Sequence, residues 1–265
     1  MSKQFTNELI HEIDSSVLEA KQVMLDLMEN GGSGHIGGSL SIIDALMCLF
    51  HTKLVDDANY LVYSKGHAEV AIYAALIERG LLKTGAGLKE LGSPLQGHPS
   101  KKWISQFNYS SGSLGQGLSY AAGMAAALDS EQAKVFCVLG DGELQEGQVF
   151  EAVITASSLK LSNLIALIDC NGLQLEGRTI VTGGAEEMSC CWKNLGWDCA
   201  VIDGHDTAQL IEALNTPHQE KPFAIFLKTI KGHGVSFMEM NPNYHGVSLS
   251  KEELNMARRE LCARI

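Results

Sequence analysis

No apolar run in this chain approaches the roughly 20 residues that a membrane-spanning helix requires. The opening stretch, MSKQFTNELIHEIDSS, has neither the apolar core of a secretory signal nor the arginines of a transit peptide. Basic residues are few: 20 Lys and Arg against 31 Asp and Glu leave a net charge of −11, which argues against a nucleic-acid partner. An anionic substrate stays compatible with that balance if basic groups come from elsewhere. The seven cysteines (Cys48, Cys137, Cys170, Cys190, Cys191, Cys199 and Cys262) are odd in number and form no C-x-x-C pair, which argues against a zinc site. Most sit among apolar neighbours, as Cys137 does in VFCVLG, and they read as reduced thiols of a cytoplasmic protein. No Gly-Lys-Ser/Thr follows a glycine loop, so a Walker phosphate loop is excluded. No internal repeat and no linker divides the chain, and residues 1–265 are expected to form one domain.

With 45% hydrophobic and 19% charged residues, the composition is that of a globular protein. Apolar positions over 7–28, among them Ile13, Val17, Met24 and Met28, recur at helical spacing. ENGGSGHIGGS then breaks the helix, and LSIIDALMCLF is expected to start another. NYLVYS reads as a short buried strand, AEVAIYAALIERG as a helix, and 83–113 as loop-rich. LGQGLSYAAGMAAALDS reads as a helix dense in small residues, against which something packs closely. From 134 onward the alternation is clear. KVFCVL is a strand, ELQEGQVFEAVITASSLK a helix and NLIALID a strand; a helix near 186–195 then precedes DCAVID, TAQLIEAL and PFAIFLKTI. This order predicts an α/β fold: a doubly wound parallel sheet with helices on both faces. Ser250 and Glu253 form a capping box ahead of the last helix.

In such a sheet, ligands bind beyond the carboxyl ends of the strands. Four expected strand ends carry reactive groups: Lys65-Gly66-His67, Gly140-Asp141-Gly142, Asp169-Cys170-Asn171-Gly172 and Lys231-Gly232-His233-Gly234. Asp141 sits where a helix N-terminus would hold a phosphate, although a carboxylate repels one. Asn171 lies thirty residues on, one βαβ crossover away. A carboxylate and an amide oxygen are hard ligands suited to Mg²⁺ or Ca²⁺, and magnesium completes its shell with phosphate oxygens. A dication between Asp141 and a diphosphate resolves the repulsion, with Gly140 and Gly142 allowing close backbone approach. Taken alone, Asp141 also fits a helix N-cap, Asn171-Gly172 an ordinary turn, and Glu143 a helix-dipole partner. Six of the nine histidines adjoin glycine: His35, His67, His98, His205, His233 and His245. That pattern predicts a pocket lined with imidazoles. GSLGQG (112–117) follows no strand pattern, which leaves NAD weakly supported.

These residues resemble a known family. GDG followed by Asn171 resembles the thiamine-diphosphate fingerprint. GSGHIGGSLS, SKGH, QGHPS, GSLGQGLSYAAGMAAA, GDGELQEGQVFEA, LIDCNGLQLEG, IDGHD and KTIKGHGVSFME followed by YHG resemble transketolase in order, over roughly residues 10–250. The resemblance covers only the N-terminal, diphosphate-binding domain, so the chain looks like the first subunit of a split transketolase. HIGG stands where His-Pro-Gly is commoner, and GSLG where Gly-Pro-Leu-Gly is; both resemble bacterial split enzymes and the deoxyxylulose-phosphate synthase branch.

The resemblance implies the following roles. Asp141, Asn171 and the carbonyl of Leu173 would bind Mg²⁺ or Ca²⁺. Gly140, Gly142, His67 and His245 would touch the diphosphate of thiamine diphosphate, and Gly112 and Leu114 would lie against its ring. His35, His98 and His245 would face the sugars, and Glu146 would sit at a subunit contact near the cofactor. The implied reaction moves a two-carbon ketol unit from a ketose donor to an aldose acceptor; a phosphorylated pentose, a branched sugar and a sulfosugar all stay open as substrates. A glutamate that activates the cofactor would come from a partner, the pyrimidine-binding C-terminal subunit, in an α₂β₂ heterotetramer. No nucleic acid and no membrane are expected as partners. A deoxyxylulose-phosphate synthase-like or E1-like half, or a non-catalytic regulatory subunit, is the alternative.

Overall fold

The computed structural model describes residues 6–263 except 55–57, 84–86, 106, 129–132, 176, 180–183 and 219. Parts of the expected loop stretch (84–86, 106), the last two residues of the expected small-residue helix (129–130) and Glu176 therefore lie outside the described residues. Two long helices, α1 (Asn7–Gly31) and α2 (Ile36–Thr52), precede β1 (Tyr60–Tyr63), α3 (Glu69–Glu78) and α4 (Gln116–Ala127). Then come β2 (Val135–Gly140), α5 (Gly147–Ser158) and β3 (Leu164–Cys170), followed by a small hairpin of β4 (Leu173–Gln174) and β5 (Gly177–Arg178). The chain ends with α6 (Ala185–Asn194), β6 (Asp198–Asp203), α7 (Thr207–Leu214), β7 (Phe223–Lys228) and α8 (Lys251–Cys262).

Five strands form one parallel sheet in the order β1-β2-β3-β7-β6. Because successive strand residues face opposite sides, the sheet builds two cores. Phe136, Val138, Ile165, Leu167, Ile225 and Leu227 pack with α1, α2, α3, α7 and α8. Their strand neighbours Val135, Cys137, Leu139, Ala166, Ile168 and Phe226 pack with α4, α5 and α6. Both faces being apolar explains why β2 and β3 read as continuous hydrophobic runs rather than alternating ones. The expected doubly wound parallel sheet is what forms.

Three local differences from the sequence reading have physical causes. First, α2 begins at Ile36 rather than Leu40, taking in Gly37 and Gly38 despite their poor helix propensity. A Cβ on Gly37 would lie 2.6 Å from the Tyr244 carbonyl oxygen, so the glycine lets two loops touch. Second, the expected helix 143–160 is broken. Gly142–Gln145 forms a 3₁₀ turn and Glu146 is extended as the N-cap of α5. The Glu143 side chain folds back to accept backbone N–H groups instead of pointing along a helix. Third, the β4–β5 hairpin is absent from the sequence reading, because two-residue strands leave no periodicity to read. The Ser250–Glu253 capping box forms as expected.

Candidate active site

The carboxyl ends of β1, β2 and β3 open into a cavity of about 300 Å³. His67, Gly112, Leu114, Gly140, Asp141, Gly142, Asn171 and His245 line it, together with Leu173 and His98. Parallel register sets the convergence: Gly140 at the end of β2 pairs with Asp169 on β3, so Asp141 and Asn171 leave adjacent strand ends. Asp141 is buried. One carboxylate oxygen accepts the Gly142 N–H at 2.8 Å and the other the Gly172 N–H at 2.7 Å. It thus caps the 3₁₀ turn and tethers the next strand's turn as well, with lone pairs to spare. Burial, and then the neighbouring Asp169 carboxylate, push its pKa up to about 6.

Asn171 is oriented by a buried ionic cluster that the sequence reading missed. Its amide N–H₂ donates to Asp169 at 3.1 Å, and its amide oxygen accepts the Leu173 N–H at 3.1 Å. Asp169 in turn takes hydrogen bonds from Lys65, Ser41 and Thr229. Burial alone pushes the Asp169 carboxyl up, but the Lys65 ammonium and these hydrogen bonds bring it below the usual carboxylate range. Lys231 lines the same cavity, its ammonium donating to His245 Nδ1 at 2.7 Å and to the Leu173 carbonyl at 3.4 Å. Burial and the nearby Lys65 pull Lys231 down to about 8.

The histidine cluster is held by contacts between loops far apart in sequence. Gly34 and Val247 form an antiparallel bridge, and Gly232 donates to the Gly37 carbonyl at 2.9 Å. These bonds bring His35, His67 and His245 together: His67 and His245 stack with centroids 5.5 Å apart, and His35 meets them edge-on at 5.6 and 5.3 Å. Burial, then the lysines and the other imidazoles, hold His67 well below its ordinary pKa and His245 at about 4. Both rings are therefore neutral at pH 7.

Three parts of the sequence reading fall outside this cavity. His35 does not line it and reaches it only through its ring contacts with His67 and His245. His205 and His233 do not join the imidazole cluster; they stack on each other at 3.5 Å beside Asp44, beyond β6 and β7. Their loops leave the sheet at its other edge, which glycine adjacency alone does not reveal. Glu146 is exposed and does not line the cavity. The buried glutamate is Glu143, which accepts from Ser64 Oγ, from Gly115 N–H at 2.8 Å and from Gly140 N–H at 3.3 Å. It clips the GSLG loop onto the GDG turn, a long-range role rather than service to a helix dipole.

Known proteins match this chain over nearly all its length. The family described as transketolase, thiamine diphosphate binding domain, matches residues 13–264. The chain belongs to the transketolase family. The 6-deoxy-6-sulfo-D-fructose transketolase subunit SqwG of Clostridium sp. (strain MSTE9) is 36% identical over 258 residues, covering 91% of this chain and 93% of that protein. An apulose-4-phosphate transketolase subunit from Phocaeicola vulgatus is 32% identical, covering 91% of both chains. The solved structure of transketolase from Leishmania mexicana superposes with a TM-score of 0.85 at 25% identity; the match covers 94% of this chain but only 41% of that one.

A transketolase cofactor fits the residues present. The buried Asp141 carboxylate, the Asn171 amide oxygen and the Leu173 carbonyl are oxygen donors of the kind a hard dication takes. A carboxylate held up at about 6 by burial and then by a second carboxylate gains from such a cation. Lys231, His67 and His245 line the same cavity and are donors of the kind a diphosphate takes. Both lysines stand at strand ends in the sequence. Nothing there distinguishes Lys65, locked in an ion pair, from Lys231, which donates to a pocket imidazole.

Proposed function

We propose that this chain is the thiamine-diphosphate-binding N-terminal subunit of a split transketolase. It would transfer a two-carbon ketol unit from a ketose phosphate, or a ketose of related charge, to an aldose. When bound, thiamine diphosphate supplies the nucleophilic carbon and the electron sink for cleaving and forming the carbon–carbon bond. The chain's own residues hold and orient. Asp141, Asn171 and Leu173 bind Mg²⁺ or Ca²⁺. Lys231, His67, His245 and the Gly140 and Gly142 backbone hold the diphosphate, with Gly112 and Leu114 against the ring. His35, His98 and His245 orient sugar hydroxyls and move protons, and the neutral His245 imidazole suits that task near pH 7.

One observation carries this reading: the three oxygen donors and the imidazoles of His67, His98 and His245 line a single cavity at the β2 and β3 ends. The partner is the subunit bearing the pyrimidine-binding domain. Two features support an α₂β₂ assembly. Glu146 is exposed at the start of α5, and the large apolar residues Leu114, Tyr120, Ile154 and Leu159, in or next to α4 and α5, are exposed as well. In this reading residues 1–265 act as one domain, in the cytoplasm. Among the described residues no helix is long and apolar enough to cross a membrane. The test mixes the purified chain with its partner subunit, thiamine diphosphate and Mg²⁺, and assays ketol transfer over a panel of phosphorylated, branched and sulfonated sugars. Activity only in the mixture, with a mass of two copies of each chain by light scattering, is expected; turnover by this chain alone would refute the half-enzyme reading.

A further inference from the structure

Glu69 opens α3 and is fully buried; Ala68 holds the N-cap position, where no side chain makes a capping hydrogen bond. Its two carboxylate oxygens have separate partners. One lies 3.1 Å from Nδ1 of His35, and the other pairs with the Lys89 ammonium at 3.0 Å. Lys89 itself has a left-handed backbone (φ 61°), rare for a non-glycine residue, and its N–H closes the loop onto the Leu95 carbonyl at 2.7 Å. Its side chain runs past Gly97, next to His98; a Cβ there would lie 3.4 Å from Lys89 Cε. A strained loop residue thus delivers a cation to a carboxylate that already faces the His35 imidazole.

We propose that Glu69 is a positioning residue that fixes the tautomer of His35. An ionised carboxylate only accepts, so the proton of the His35–Glu69 bond must sit on Nδ1. Nε2 then carries the lone pair. It faces the His245–Gly246 turn, since a Cβ on Gly246 would lie 3.0 Å from it. His245 is fixed in the opposite sense: the Lys231 ammonium donates to its Nδ1, so its Nε2 carries the proton. The cluster therefore presents a proton acceptor at His35 beside a donor at His245, with ring centroids 5.3 Å apart. A sugar hydroxyl accepts from one and donates to the other, which selects hydroxylated substrates over deoxy analogues. Lys89 pairs with the other oxygen of Glu69 and so holds the carboxylate in place against the ring. The part played by His35 toward a sugar rests on the ketol-transfer reading; the tautomer does not.

The test is two-dimensional ¹H–¹⁵N NMR of the full chain labelled at histidine nitrogens, with His35 assigned from the signals missing in His35→Gln. The expected result is a neutral His35 protonated at Nδ1 near pH 7.5. In Glu69→Ala that preference is lost. In Lys89→Met, which leaves Glu69 in contact with His35, the Nδ1 preference is retained; Glu69, Lys89, His67, His98 and His245 are the charged or titratable groups around the ring. A His35 protonated at Nε2 in the wild-type chain overturns the proposal without any variant, as does an unchanged spectrum in Glu69→Ala. These readouts need no turnover, so failure of the assigned reaction is separable. In the active complex, Glu69→Ala lowers kcat roughly tenfold or more, with cofactor affinity unchanged.

Discussion

Asp141, at the end of β2, accepts the backbone N–H of Gly172, just beyond Asn171 at the end of β3. The carboxylate therefore holds the turn that carries the other donors and also offers its remaining lone pairs to a cation. Asp141→Asn keeps the size but removes the charge. Mg²⁺-dependent binding of thiamine diphosphate is expected to fall at least about 100-fold, since a charged hard ligand is worth several kcal/mol to a dication. Isothermal titration with and without Mg²⁺ checks this. Equal affinity in the two proteins would move the metal elsewhere.

Glu143 is the second test, and it separates scaffold from ligand. Its truncation to alanine leaves the Gly115 and Gly140 N–H groups without their acceptor in a buried setting. The expected cost is roughly 3 kcal/mol in urea unfolding. Cofactor affinity should also weaken, because Gly112 and Leu114 ride on the loop that Glu143 secures. Glu146→Ala, exposed and outside the cavity, is expected to leave the stability of this chain within about 0.5 kcal/mol of wild type. Its effect should appear only in the assembled enzyme.

Much of this is legible in residue order, for a physical reason. Parallel strands buried on both faces must be apolar throughout, and ligands gather at their carboxyl ends. Hence Asp141, Asn171 and His67 can be placed from the order of residues alone. What escapes is tertiary in origin. The sequence cannot say that His205 and His233 stack at the far edge of the sheet while His245 joins His67, because loop-to-loop bonds such as Gly34 to Val247 decide it. Nor can it distinguish Glu143 from Glu146. They are three residues apart on an expected helix, and the break at Glu146 buries one and exposes the other.

His245 gives the chain an acid-sensitive term. Its folded pKa, about 4, lies below the ordinary 6.5, depressed by burial and then by Lys231. Between those values the unfolded chain binds a proton that the folded chain refuses. The stability from this group is therefore complete above pH 6.5 and is lost as pH falls toward 4. His67 acts in the same sense, and Asp141, raised to about 6, in the opposite one. Comparing wild type with His245→Gln isolates the term: the wild type should lose more stability than the variant between about pH 7.5 and pH 5 in urea melts. Parallel curves would contradict a buried neutral imidazole.

The glycines of α4 make opposite predictions. A Cβ on Gly117 would lie 2.3 Å from Ser64 Cβ and 2.9 Å from Ser64 Cα, so α4 touches the strand end that carries Lys65, Gly66 and His67. Gly117→Ala must push that backbone aside. A loss of about 2 kcal/mol is expected, together with weaker cofactor binding, as the shift passes to His67. Gly123, on the exposed side of the same helix, meets nothing within 4 Å. Gly123→Ala should stabilise the isolated chain by up to about 1 kcal/mol, because alanine is the better helix former. If the outer side of α4 is where the partner subunit packs, the same substitution should weaken assembly despite the stabler fold, and sedimentation of the mixed subunits would read it directly. Stabilisation with assembly unchanged would instead place the contact away from Gly123.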